Sequence, residues 1–268
     1  MKPGRAALTG ALHGPAELLP VSSSAHVALV HGDLEDPELR KAFEVALHAG
    51  TAAALALALR GEVAEAVGDL DARRLTLLAG SFLPPAVAGL ALQRRIEERL
   101  GTPVTTAAGL AAGAVAMWWA DARAERGGWR GRQDAGLLDA LLLGLAQAAA
   151  LWPGVSRSGA TLAVLRARGY SLADAGILSR HVALPVIGGA TALKSVRLAR
   201  RGLPREHRAA FATGTAAAFA STLACVPLAA PSSRPRGQGP ALWPFALYRL
   251  ALAAALLLRR QKGDNHVL

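Results

Sequence analysis

The side chains best suited to chemistry gather in two short stretches. The first is Glu17-Leu18-Leu19-Pro20-Val21-Ser22-Ser23-Ser24-Ala25-His26, which places a carboxylate, three hydroxyls and an imidazole within ten positions. The second is Pro153-Gly154-Val155-Ser156-Arg157-Ser158-Gly159-Ala160-Thr161, which adds a guanidinium to the hydroxyls. Both lie in apolar sequence, where ionisable groups are costly and usually face a cavity or a partner. A helix that begins after a run of Ser presents unpaired N–H groups and a positive dipole end, and phosphate is the natural guest of such a terminus. Arg157 offers a planar fork of donors that matches phosphate oxygens. Gly154 and Gly159 permit close backbone approach and unusual dihedrals. A plainer reading stands beside this one: Ser22, Ser23 and Ser24 cap a helix beginning near His26, Glu17 pairs with His26, and Arg157 snorkels or pairs with Asp139. The depth of Arg157 within an apolar segment argues for the functional reading.

The elements that must position these residues are hydrophobic. The 268 residues are 52% hydrophobic and 18% charged, below the roughly 25% charge of an ordinary soluble domain. The apolar residues fall in blocks: 75–93, 101–120 and 209–233 contain no Asp, Glu, Lys, Arg or His. Each reaches the roughly 20 residues that cross a hydrocarbon core of about 30 Å. The pattern predicts spanning helices near 43–59, 75–93, 102–120, 174–193, 209–229 and 242–258. Residues 6–31 and 135–166 are also apolar but are broken by His13-Gly14-Pro15, Pro20 and the Ser run in one, and by Pro153-Gly154, Ser156 and Ser158-Gly159 in the other. Broken helices at membrane depth are tolerated where they line a wet cavity, so both stretches are expected to form re-entrant helix–loop–helix hairpins.

The formal net charge of +11 does not point to nucleic acid, because no basic helix with interleaved aromatics is present. Lys and Arg instead collect between hydrophobic blocks. Cys225 is the single cysteine, which leaves no disulfide framework or thiolate metal site within one chain. Residues 1–12 do not resemble a cleaved signal peptide. Each broken stretch is followed by about three hydrophobic blocks, and Pro-Val-Ser-Ser-Ser-Ala at 20–25 echoes Pro-Gly-Val-Ser-Arg-Ser-Gly at 153–159. This predicts an all-α polytopic membrane protein built as an inverted-topology repeat, a single integral membrane domain over 1–268 with pseudo-repeats at about 1–120 and 135–258 and a site near the midplane.

Both stretches resemble the signature motifs of the undecaprenyl-diphosphatase family, linked with bacitracin resistance. The matching residues are Glu17, Leu19, Pro20, Val21, Ser22, Ser23, Ser24 and His26, then Pro153, Gly154, Ser156, Arg157, Ser158, Gly159 and Thr161. Further similarity lies in Phe43-Glu44-Val45, Asp139-Ala140 with Gln147, Ala183-Leu184-Pro185 and Pro244-Phe245-Ala246-Leu247-Tyr248-Arg249. The resemblance spans nearly the whole chain. It implies a plasma-membrane phosphatase that recycles the cell-wall lipid carrier, with a polyprenyl diphosphate substrate, a divalent cation (Mg²⁺ or Ca²⁺) and a site open to the outer face. Several positions depart from the family pattern, among them Pro15, Ala16, Ala25, Arg180, His181 and two further histidines. His13 stands where the motif has an acidic or amide residue, and His48 where Gln is frequent.

On this reading Arg157 clamps the phosphate oxygens. Ser22, Ser24, Ser156, Ser158, Gly159 and Thr161 line the phosphate site. Glu17 holds the cation, with His13 as a further ligand, or activates the nucleophile. Ser23 attacks the terminal phosphorus and His26 relays protons; water oriented by Glu17 and His26 is the alternative nucleophile. Glu44 opens a spanning helix, where the dipole favours a carboxylate, or supports the site. Asp139 and Gln147 satisfy broken backbone or orient Arg157. The many Ala and Gly residues suit close helix packing, as a lipid-facing groove or the surface of a homodimer. The rival class is a transporter or flippase of a lipid phosphate or small anion, which shares the broken-helix pattern.

Loop charge sets the orientation. Residues 194–208 hold Lys194, Arg197, Arg200, Arg201, Arg205 and Arg208 against Glu206 alone, the tail holds Arg259, Arg260 and Lys262, and the loop 121–134 holds Arg123, Arg126, Arg130 and Arg132. These sides belong in the cytoplasm, and the acidic loop 32–41 outside. In a Cys225→Ala background, Arg201→Cys should react with an impermeant maleimide only after cells are permeabilised; labelling in intact cells would reverse the orientation.

Overall fold

The computed structural model describes residues 1–30, 36–61, 64, 68, 71–124, 130–229 and 241–264. Ten α-helices are used below: α1 (Pro3–Leu18), α2 (Ser23–Val30), α3 (Pro37–Ala58), α4 (Ala72–Leu100), α5 (Pro103–Ala124), α6 (Leu137–Ala149), α7 (Arg157–Ala167), α8 (Leu172–Arg201), α9 (Arg205–Ala229) and α10 (Trp243–Asp264). No strand occurs among the described residues, and the protein is an all-α polytopic membrane protein. The first stretch breaks at Pro20, where residues 19–22 separate α1 from α2, and the second at Pro153-Gly154, where residues 150–156 separate α6 from α7. His13-Gly14-Pro15, expected as a further interruption, lies inside α1, because a Pro removes one N–H donor and packing on α9 supports the helix through it.

Among the described residues, the segments Ala72–Leu92, Leu172–Leu193 and Arg205–Pro227 are long and apolar enough to cross a membrane; Arg94–Leu100 with Pro103–Ala124 adds a fourth if that bent pair is one span. The helices expected at 43–59, 102–120 and 242–258 also form, within α3, α5 and α10. They are less apolar for identifiable reasons: α3 carries Glu44 and His48, α5 is built largely of Ala and Gly, and α10 carries Arg249. Exposed Leu83, Leu90, Val115, Trp118 and Trp119 are what a lipid-facing surface requires.

Two boundaries differ from expectation. The basic segment 194–208 is not a loop: α8 continues to Arg201, Gly202 turns the chain at φ +75°, and α9 starts at Arg205. Lys and Arg are good helix formers, so the helix outruns its apolar part. Glu44 does not open a helix either. α3 starts at Pro37, capped by the Asp36 carboxylate accepting from the Glu38 N–H at 2.8 Å, which leaves Glu44 two turns inside.

The chain divides into two compact units, which do not coincide with the sequence halves. The first comprises residues 1–18, 26–69 and 184–229; the second comprises residues 19–25, 70–183 and 230–268. In the first unit, α9 packs against α1 and α3. Gly10 and Gly14 of α1 lie against the α9 backbone: a Cβ on Gly14 would come within 2.6 Å of the Thr222 nitrogen. Phe43 and Phe211 fill the core edge to face, centroids 5.2 Å apart.

In the second unit, α4 packs on α6, and α5 packs on α7 and α10. Asp121 at the end of α5 fixes the start of α10. Its carboxylate accepts from the Leu242 and Trp243 N–H groups at 2.5 and 2.9 Å and pairs with Arg166 at 3.2 Å. Asp139, in the first turn of α6 beside the basic loop, is the other anchor. It accepts from Arg130, Arg168, the Tyr170 hydroxyl and the Gly136 N–H. Asp139 therefore does not orient Arg157. Gln147 donates its amide to the Ser81 carbonyl at 2.9 Å, which ties α6 to α4.

Burial alone would raise the Asp139 carboxyl, but hydrogen bonds from Arg130, Arg168, Gly136 and Tyr170 outweigh it and hold the pKa down at about 2. A depressed carboxylate stabilises the fold above its unfolded pKa and stops doing so as pH falls through the folded one. Thermal melting in detergent should therefore lose stability between about pH 4 and pH 2 through this group. Asp139→Ala should cost about 1.5–3 kcal/mol at neutral pH by removing the charge-assisted hydrogen bonds from Arg130 and Arg168, whose guanidinium groups keep partial access to solvent. An unchanged melting temperature for that variant would refute the anchoring role.

Candidate phosphate site and metal-ligand cluster

The second unit brings the two Ser-rich breaks together. Ser22 and Ser156 each precede a helix with positive φ, 72° and 64°. This region strains a residue with a side chain by about 1–3 kcal/mol. Each is followed by a matching hydroxyl pair: Ser22 Oγ lies 3.1 Å from Ser24 Oγ, and Ser156 Oγ lies 3.2 Å from Ser158 Oγ. Ser23 and Arg157 consequently hold equivalent places, each as the first residue of its helix. Ser156 also caps α7, accepting from the Gly159 N–H at 3.3 Å. Ser158 donates its hydroxyl to the Leu19 carbonyl at 3.0 Å and so joins one break directly to the other.

The stronger tie is Arg249 of α10, which is fully buried. Its guanidinium donates to the carbonyls of Gly154 at 2.7 Å, Val155 at 2.8 Å, Leu110 at 3.3 Å, Gly109 at 3.4 Å and Pro20 at 3.4 Å. Its remaining partner is the Met117 sulfur. No carboxylate among the described residues neutralises it. A buried charge is costly unless hydrogen-bonded throughout, and charge-assisted bonds to carbonyls are among the stronger ones. The glycines nearby make room for it. A Cβ on Gly159 would approach Arg249 Nη1 to 2.5 Å, and one on Gly113 would overlap Nη2. Gly154 turns at φ +97°, where a Cβ would overlap the Thr106 carbonyl.

The expected phosphate-site residues thus separate by role. Ser22, Ser24, Ser156 and Ser158 share the two breaks. Gly159 makes space for Arg249 and has its N–H engaged by Ser156. Thr161 is fully buried, and its hydroxyl is used by the Arg157 carbonyl at 2.9 Å and by Ser179 Oγ at 2.7 Å, which braces α7 against α8.

The first unit holds a separate cluster. Ligand atoms of His13, Glu17 and His48 all lie within 4.8 Å of one another. His13 and Glu17 come from adjacent turns of α1, and His48 comes from α3. His48 Nε2 is 3.8 Å from Glu17 Oε2, and the imidazoles of His13 and His48 meet edge to face at 4.6 Å. His13 is 1% exposed, and its Nε2 has no hydrogen-bond partner. His26 belongs to this unit and Ser23 and Arg157 to the other.

Sequence reasoning missed two of these residues. The signal for Arg249 was present, a lone guanidinium in the apolar segment 242–258. His48 was visible only as a departure from a family pattern, and its spacing from His13 carries no local signature because the two meet through helix packing.

The chain is 36% identical to an undecaprenyl-diphosphatase of Geobacter sulfurreducens, covering 94% of this chain and 96% of that one. It is 37% identical to undecaprenyl-diphosphatase 1 of Paraburkholderia xenovorans over 83% and 84% of the two chains. It is 35% identical to an undecaprenyl-diphosphatase of Thermomicrobium roseum over 95% and 96%. The sequence profile of the bacitracin resistance protein BacA matches residues 6–255; this chain belongs to that family.

Proposed function

We propose that this protein hydrolyses undecaprenyl diphosphate to undecaprenyl phosphate and inorganic phosphate. The observation that carries the reading is the paired arrangement around Arg249. Two helix N-termini, two hydroxyl pairs and a buried guanidinium without a counter-charge make a strongly anion-attracting locus in apolar surroundings. The names of the relatives support hydrolysis of this lipid rather than its transport.

Phosphoryl transfer needs positioning and charge stabilisation more than covalent chemistry. Arg157, as first residue of α7, clamps oxygens of the terminal phosphate, with Ser22, Ser24, Ser156 and Ser158 as further donors. Ser23 attacks the terminal phosphorus. The bond from that phosphorus to the bridging oxygen breaks, and undecaprenyl phosphate leaves. Water then releases phosphate from Ser23. His26, three positions along α2 and so on the same helix face, accepts the Ser23 proton and later activates the water. Glu17, with His13, would hold a divalent cation, which would supply charge neutralisation. The prenyl tail stays in the lipid.

The finer topology belongs to the same proposal. The breaks at 19–22 and 150–156 are re-entrant hairpins in the plasma membrane, opening to the outer face. Their swapped pairing supports an inverted repeat. The first broken helix, α1, packs on α9, and its counterpart α6 packs on α4. Those partners are the equivalent helices of the opposite halves.

Phosphate release in detergent, where no sealed compartment exists, tests the proposal; a carrier would release none. Arg157→Ala should lower kcat/KM by about 100-fold or more, the loss of one donor that acts on developing charge. Ser23→Ala should abolish turnover, and a Ser23→Ala protein that keeps most of its rate would pass the attack to water.

A further inference from the structure

We infer that His13, Glu17 and His48 form a three-ligand site selective for a borderline transition-metal ion of the zinc class, not for Mg²⁺ or Ca²⁺. The inference deepens the phosphatase reading by naming the metal its site takes.

The donor set is two imidazoles and one carboxylate. Hard Mg²⁺ and Ca²⁺ are held by oxygen ligands, and Mg²⁺ in addition demands near-ideal octahedral geometry. Imidazole suits Zn²⁺, Cu²⁺, Fe²⁺ and Ni²⁺. Two His and one Glu, with a further position left open, is a ligand set used by catalytic zinc.

The second observation is how the rings are held. His48 Nδ1 lies 2.8 Å from the Glu44 carbonyl oxygen. A carbonyl only accepts, so Nδ1 carries a proton, and Nε2 is the nitrogen on the Glu17 side. His13 Nδ1 lies 3.1 Å from Thr51 Oγ1, which lies 3.3 Å from Thr222 Oγ1. The Thr222 hydroxyl is 2.6 Å from the Ala218 carbonyl. Thr51 and Thr222 thus hold the distal nitrogen of the His13 ring in place. His13 Nε2 is buried, with no hydrogen-bond partner. An unpaired buried polar atom costs about 1–3 kcal/mol, which a bound cation would offset. A hydrogen bond at the distal nitrogen is how metal-ligating imidazoles are oriented. Metal bonds of about 2.0–2.2 Å at tetrahedral angles place ligand atoms about 3.4 Å apart. Small side-chain rotations that close the 4.8 Å cluster would complete the site. Glu44 thereby gains a role through its backbone, as the acceptor that sets the His48 ring.

The test is Co²⁺ titration of the full-length protein in detergent after chelator treatment, read by the visible d–d absorption. We expect a band that saturates at one Co²⁺ per chain, is removed by Zn²⁺, and persists in a large excess of Mg²⁺ or Ca²⁺. His13→Ala and His48→Gln should each weaken Co²⁺ binding by about 100-fold or more. His48 is 37% exposed in its side chain, so His48→Gln tests the ligand without disturbing a packed core, and melting of the metal-free protein checks that the fold is kept. No band, a band unchanged in both variants, or displacement by Mg²⁺ would overturn the inference. Phosphate release measured alongside separates the two readings. Turnover in Mg²⁺ without a cobalt site sinks the metal assignment alone, whereas a cobalt site without phosphate release sinks the phosphatase reading.

Discussion

The guanidinium of Arg249 carries the architecture of the second unit. A broken helix leaves backbone carbonyls without their helical donors. Residues 19–22 and 150–156 both create this problem, and one side chain from α10 answers both by donating to Pro20, Gly154 and Val155. It also binds the Gly109 and Leu110 carbonyls of α5, so the breaks are tied to a continuous helix as well as to each other. A charge-assisted fork over several carbonyls suits Arg and no other side chain. The glycines at 113, 154 and 159 follow from this, since larger residues would fill the space the guanidinium or the backbone turn requires.

The same tie explains why the chemistry-bearing residues come in matched sets. Ser22 and Ser24 repeat as Ser156 and Ser158, with the same positive φ at the first member and nearly the same Oγ–Oγ distance. The central position differs, Ser23 in one break and Arg157 in the other. One break thus presents a hydroxyl and the other a fixed positive charge, a division that suits attack on phosphorus and stabilisation of its oxygens. Strain at Ser22 and Ser156 is sustained because hydrogen bonds on both sides over-determine their conformation.

Much of this was legible in the sequence. Apolar blocks located α4, α8 and α9, and Pro, Gly and Ser located both breaks, because backbone chemistry at those positions is local. The Ser echo was read as a duplication, and the structure gives it matching geometry. Contacts made through packing were not legible. Asp139 was expected to satisfy broken backbone or to orient Arg157, yet its partners are Arg130, Arg168 and Tyr170, which packing brings to the first turn of α6. Glu44 was placed at a helix start, since Pro37 and Asp36, which begin α3 two turns earlier, sit in an acidic loop. Arg249 and His48 acquire meaning only from helices distant in sequence.

Hydrogen exchange in the Arg249→Lys protein tests the central claim most directly, because exchange reads the local opening of each segment. Lysine keeps a charge but cannot span five carbonyls with a planar fork. Amides of residues 19–25 and 153–159 should lose protection together, while those of α1 and α9 keep theirs. Unchanged protection in both breaks, or loss in one alone, would show that something other than Arg249 holds them in place.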